Sequence, residues 1–254
     1  RRPAGRGRGA LPLVGINVPP VAWRQVRPGT CTVPEALARS VDLLTRGEGP
    51  AIVVHAVSPA AITVGRAQES EVDMAAATAE DLEVVTRPSG GGPVLWDDDL
   101  VAIDIILPAG HPLLPTDVVA GYRWVGEAVV AALKSLGIPG ARAVLPAEAR
   151  AWPRGGAAGL CFGGLSPWEV VVGDRKVLGL SQVRRQAGGI IQVGVPLRLD
   201  AARLTRAVGA PGAAAADLEA RTAGIADLAP GLTREQVTDA LVDALLASGP
   251  PRAA

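Results

Sequence analysis

Residues 168–197 read WEVVVGDRKVLGLSQVRRQAGGIIQVGVPL. This stretch holds three apolar runs, "WEVVV", "RKVLGLSQ" and "IIQVGVPL", separated by Gly173-Asp174 and by the "AGG" at 187–189. Connections this short join only antiparallel neighbours, because a parallel crossover needs a dozen residues or more. The stretch therefore predicts three antiparallel strands in succession, which excludes an all-helical chain and an all-parallel sheet.

Five more strand candidates precede it: "AIVVHAV", "AITVG", "LEVVTR", "PVLWD" and "LVAIDIIL". Helices interrupt them. One is expected between Thr30 and Gly47, with Thr32 as N-cap, Pro34 in the first turn and Gly47 as the stop. A second is expected from Thr116 to Gly137, with apolar residues at Val118, Val119, Tyr122, Val125, Val129, Ala132, Leu133 and Leu136. Residues 137–160 are rich in Gly, Pro and Ala, and "PGAAAAD" from Pro211 reads as a local linker. A final helix opens on Thr233 and Gln236 at capping-box spacing. The expected fold is α+β in one domain, a mixed or antiparallel sheet flanked by helices.

Acidic and basic residues number 25 each, so no net field draws the chain to nucleic acid or to an anionic membrane. No apolar run is long enough to span a bilayer. Cys31 and Cys161 are too few for a disulfide framework and lack metal spacing, so free thiols in a reducing cytoplasm are expected. Residues 1–20 are basic and then apolar, broken by Gly and Pro, and read as a flexible tail before one folded domain over 21–250.

Of the 25 basic residues only Lys134 and Lys176 are lysines. Lys134 sits in a last helical turn, where a cation complements the dipole. Lys176 follows a tight turn on a predicted strand; it is either a surface lysine or a compact charge placed between a carbonyl and a phosphate oxygen. "RPSGGGPVLWDDD", Arg87–Asp99, joins two predicted strands. Its glycines, Gly90, Gly91 and Gly92, let backbone N–H groups approach a phosphate or acyl carbonyl, or else form a flexible connection. A Walker A ending is absent. Asp97, Asp98 and Asp99 suit a hard cation or a solvated turn. Asp104 interrupts an apolar strand and faces either a cavity or solvent. His55 and His111 lack ligand spacing and read as ordinary histidines. Cys161 is a small buried hydrophobe or a nucleophile.

Four segments, "VGRAQ" (64–68), "RPSGGGPVLWD" (87–97), "CFGGLSPWEVVVGDRKVLGLSQ" (161–182) and "GGIIQVGVPLRLD" (188–200), together resemble the lipoate and octanoate protein ligase/transferase family. The resemblance implies a biotin/lipoate protein ligase-like fold and attachment of a medium-chain acyl group to a lysine of a lipoyl carrier domain. It implies that Lys176 contacts the acyl carbonyl and activated phosphate, and that Arg87, Ser89, Gly90, Gly91 and Gly92 line the acyl and nucleotide pocket. Gly179 and Gln182 would lie on the neighbouring wall. Cys161 fits members that form a thioester. The chain departs from the family at Thr86-Arg87 (Arg-Arg), Trp96-Asp97 (His-Asp), Gly179–Gln182 (GSAQ) and Gln192–Gly194 (QHG).

Three activities stay open. One is a Cys161-dependent octanoyltransferase that uses an acyl carrier protein and needs no cofactor. Another is an ATP-dependent lipoate-protein ligase that uses free lipoate or octanoate with ATP and Mg2+, helped by an accessory chain. The third is a non-catalytic acyl- or partner-binding homologue. None calls for a resident metal.

Overall fold

The computed structural model of the protein describes residues 22–153 and 155–248, so the expected tail over 1–20 lies outside the described residues. In chain order the elements are β1 (Arg24–Val26), α1 (Val33–Arg46), β2 (Ala51–His55), β3 (Ala61–Gly65), α2 (Met74–Ala79), β4 (Glu83–Arg87), β5 (Val94–Trp96) and β6 (Leu100–Pro108). There follow α3 (Val118–Ser135), β7 (Ala141–Ala143), α4 (Pro146–Ala151), β8 (Val170–Val172), β9 (Arg175–Lys176), β10 (Gly179–Arg185) and β11 (Gly188–Pro196). The last are α5 (Ala201–Ala207), α6 (Ala213–Arg221), α7 (Ile225–Leu228) and α8 (Arg234–Ala247).

A five-stranded sheet, β1-β2-β6-β11-β10, is joined by two three-stranded sheets, β4-β3-β5 and β7-β8-β9. The pairs β1–β2 and β3–β4 are parallel and the others antiparallel, the mixed α+β arrangement expected. Local signals place α1: the Thr32 hydroxyl accepts from the Glu35 N–H, Glu35 answers the Thr32 N–H, and Gly47 stops the helix at φ +66°. Thr233 and Gln236 do the same for α8.

The expected three-strand meander is instead two hairpins in different sheets. β9 pairs with β8, whereas β10 pairs with β11. The run breaks at Val177 and Leu178, both 0% exposed. Consecutive strand residues face opposite ways, and both can be buried here because the chain passes from one sheet to the next.

"PGAAAAD" is not a linker: α6 starts at Ala213, and the Ala214 N–H donates to the Pro211 carbonyl. Alanine is the best helix former, and a Pro just upstream suits a helix start. The stretch 137–160 holds β7 and α4. In α3, Val118 and Val119 stay exposed beside the Asp117 N-cap, and the buried stripe begins at Gly121.

β6 is covered on both faces. Ile103, Ile105 and Leu107 pack with Val129 and Leu133 of α3 and Leu241 of α8, while Leu100 and Ala102 pack with Ile62, Trp96 and Phe162. No face of β6 meets solvent, so the even-numbered Asp104, only 2% exposed, is buried with that second side. Among the described residues no helix is long and apolar enough to cross a membrane.

Candidate active site

On the second side of the main sheet, register sets two rows of residues side by side. Gly179, Gly194 and Ala102 pair across β10, β11 and β6, and so do Ser181, Gln192 and Asp104. These rows form one wall of a cavity of about 720 Å³. The glycine loop, the segment 158–169 and residues of α4 enclose the rest.

Arg87 holds the glycine loop. All five of its N–H donors have acceptors: Ser89 Oγ (3.2 Å), Thr63 O (2.8 Å), Thr63 Oγ1 (3.4 Å), Gly90 O and Gly92 O (both 2.9 Å). Gly91 adopts φ +105°, which disfavours any side chain. A Cβ on Gly92 would lie 1.8 Å from the Gly159 carbonyl oxygen, whereas one on Gly90 would meet open space. The three glycines thus differ: one turns the chain, one admits another backbone, and one faces the opening. The Cys161 N–H then donates to Pro93 O at 3.2 Å, fastening the two loops together.

Cys161 Sγ sits over Gly179, where a Cβ would come within 3.4 Å of it. Lys176, 3% exposed, runs beneath this loop. Its ammonium donates to Cys161 O (2.8 Å) and Gly164 O (3.0 Å) and pairs with Glu169 Oε2 (2.8 Å), which uses its three protons. It therefore reaches Cys161 through the main-chain carbonyl. Burial pushes the Arg87 guanidinium pKa down, and its Coulombic interaction with Cys161 opposes that.

The sequence marks Glu169 only as part of the run "WEVVV". Its carboxylate also accepts from Ser166 N (2.6 Å) and Leu180 N (3.0 Å), so it ties the Cys161 loop to β9 and β10. Burial pushes its carboxyl above the ordinary range, against the pull of Lys176 and the two N–H groups. The sequence signal was available, because a buried ammonium requires a counter-charge and Glu169 is the lone acid of "WEVVV".

A buried polar chain crosses the sheet. Ser181 Oγ and Ser89 Oγ both donate to Gln192 Oε1, and Gln192 Nε2 donates to Asp104 Oδ1 at 3.4 Å. Asp104 Oδ2 lies 3.1 Å from His55 Nε2. His55 is thus no ordinary histidine: it is 1% exposed and meets the Trp96 ring edge-on at 5.7 Å.

Of the residues expected at the site, Lys176, Cys161, Arg87, Gly90, Gly91, Gly92 and Gly179 line the cavity. Ser89 sits behind the loop. Gln182 lies on the opposite side of β10 from Ser181, near Gly121 of α3, and its Oε1 accepts from Arg184 Nε. Asp97 and Asp99 form a turn through the Asp99 N–H, and among the described residues no cluster of metal-ligating side chains occurs.

An octanoyltransferase LipM from Exiguobacterium sp. is 36% identical over 66% of this chain and 61% of its own length. The chain spans less than two thirds of the length of the octanoyltransferases it matches first. The crystal structure of lipoate-protein ligase A bound with ATP superposes with a TM-score of 0.70 at 18% identity, over 89% of this chain and 84% of that one. A bi-partite lipoate protein ligase from Thermoplasma acidophilum, described with its E2 lipoyl domain, gives 0.66 at 17% over 89% and 84%. At such identities the likeness is one of fold, and the fold is that of the lipoate-protein ligases. The model of the lipoyl protein ligase A/B catalytic domain matches residues 32–246, from the cap of α1 into the last turn of α8, and the chain belongs to that family.

Proposed function

We propose that the protein moves an octanoyl group from an acyl carrier protein thioester to a lysine of a lipoyl domain, by way of a thioester on Cys161. The observation that carries this reading is the placement of Cys161 Sγ over Gly179 in the cavity wall. The likeness to octanoyltransferases supports it.

In the first step the Cys161 thiolate attacks the carbonyl carbon of the carrier thioester, and the carrier thiolate leaves and takes up a proton. In the second, the neutral lysine amine of the lipoyl domain attacks the new thioester. Cys161 leaves as thiolate and the amine loses its proton to solvent. Lys176 and Glu169 hold the loop and act on the sulfur through its position.

The ligase reading places ATP and Mg2+ in the same cavity. The residues present fit a nucleotide poorly: every donor of Arg87 and of Lys176 already has an acceptor within the protein, which leaves neither cation free for a phosphate. The reading keeps one support, the open space at Gly90. The proposed reaction is cytoplasmic and takes a lipoyl domain as acceptor, and an accessory chain belongs to the ligase alternative alone.

Incubation with octanoyl carrier protein in the absence of ATP should add one octanoyl mass, removable by hydroxylamine. Cys161→Ser should abolish that adduct and Cys31→Ser should not. Acylation of a lipoyl domain that requires lipoate, ATP and Mg2+ and survives Cys161→Ser would establish the ligase instead. An acceptor unmodified under both conditions would indicate a binding homologue.

A further inference from the structure

The row Gly179, Gly194, Ala102 is a strip of three small residues on three adjacent strands. Strands are spaced about 4.8 Å apart, so the strip runs roughly 10 Å across the sheet. Cys161 Sγ stands at its Gly179 end. Its other end meets His55, the register partner of Ala102, whose ring the Trp96 ring meets edge-on. Trp96 is 6% exposed and lines the cavity.

One side wall is apolar: a Cβ on Gly194 would lie 3.6 Å from Leu100 Cδ1 and 3.9 Å from Phe162 Cζ. The other side is the Ser181–Gln192–Asp104 row, whose polar atoms are bonded mainly to one another. The strip is therefore an apolar trough with the sulfur at one end and an indole at the other, and its length is that of an extended eight-carbon chain.

We infer that this trough measures the acyl chain, with Gly194 keeping it open at mid-length and Trp96 setting its limit. The inference rests on the Cys161 transfer reading for the position of the thioester, and it adds the residues that choose the chain length. Gly194 is the informative position because both neighbours of an added Cβ stand at ordinary contact distance. A methyl group there fits the fold and projects between these two neighbours.

The test uses butanoyl, octanoyl, decanoyl and dodecanoyl carrier proteins, with acyl-enzyme formation followed by mass without acceptor. Wild type should load octanoyl fastest. Gly194→Ala should slow octanoyl by at least about tenfold while sparing butanoyl, which ends short of Gly194, since one or two methylenes in a closed pocket decide that much. Trp96→Leu, and Trp96→Phe should the first fold poorly, should raise decanoyl and dodecanoyl relative to octanoyl by a similar factor.

Calorimetric titration with the four free acids runs in parallel, so that the trough is judged apart from the chemistry. Loss of all acyl-enzyme in wild type, with the free acids still ranked by length and re-ranked by the variants, would end the transfer reading and support the trough. An unchanged ranking in both variants, or proportional loss at every length, would overturn the trough itself.

Discussion

Lys176 Nζ donates to the carbonyl oxygen of Cys161 at 2.8 Å. The lysine that the motif marks as chemical is thus joined to the proposed nucleophile by its backbone, and Glu169 fixes the lysine in turn. Such an arrangement sets where the sulfur sits, and positional errors of an ångström can cost a covalent catalyst about a hundredfold.

Lys176→Arg should therefore fail although the charge is kept. Three convergent acceptors surround a compact ammonium, and a planar guanidinium is larger and directs its donors in a fork. We expect acyl-enzyme formation to fall by about a hundredfold or more with a native-like circular dichroism spectrum. Near-normal loading by the arginine variant would show that the geometry of the pin is immaterial.

The glycine loop supplies an internal control. Gly92→Ala puts a methyl group 1.8 Å from Gly159 O and must push the Cys161 segment away, whereas Gly90→Ala meets nothing within 4 Å. Gly92→Ala should lose loading and at least ~1 kcal/mol of stability by overpacking. Gly90→Ala should stay within about 0.5 kcal/mol of wild type. Equal behaviour of the two variants in denaturant melts would contradict the difference assigned to them.

Much of this was legible in the sequence because the signals are local. The Thr32–Glu35 and Thr233–Gln236 boxes and the Gly47 stop need only a few neighbouring residues. Both glycine loop and Cys161 were found by motif. What the sequence did not disclose depends on coverage by distant segments. Alternation places Asp104 on one face of β6 but does not say that the face is buried under Trp96 and the glycine loop. The apolar run 175–182 likewise does not announce that Val177 and Leu178 carry it from one sheet to another. Gln182 was expected on the cavity wall, and the phase of β10 that follows from this break turns Ser181 inward in its place.

Asp97 gives a pH-dependent prediction. Burial raises its carboxyl pKa, the charges of Asp99 and Asp98 add to that, and the Asp99 N–H opposes it. A folded pKa above the unfolded one means that the native state binds more protons within that window. Stability therefore falls as pH rises from the ordinary Asp range through the raised value. Asp97→Asn keeps an oxygen for the Asp99 N–H and removes the charge. The variant should be more stable than wild type at pH 7 and equal to it at about pH 3, where the unfolded carboxyl is protonated as well. Urea melts at the two pH values decide it, and a wild type more stable than the variant at pH 7 would reverse the sign.

The Lys176–Glu169 pair separates stability from function. Both side chains are at most 3% exposed, and removing one partner of a buried ion pair typically costs ~3–5 kcal/mol because the other is left uncompensated. Lys176→Met and Glu169→Leu should each show a loss of about that size. In the double variant no buried charge remains, and apolar replacements of a buried pair are often neutral, so most of the stability should return and the two single losses should be far from additive. Activity should not return with it. The carbonyls of Cys161 and Gly164 and the N–H groups of Ser166 and Leu180 still lack the partners that hold the loop. Recovery of stability in chemical denaturation without recovery of the octanoyl adduct identifies the pair as the device that positions Cys161, whereas joint recovery would mean that any well-packed side chains hold the sulfur equally well.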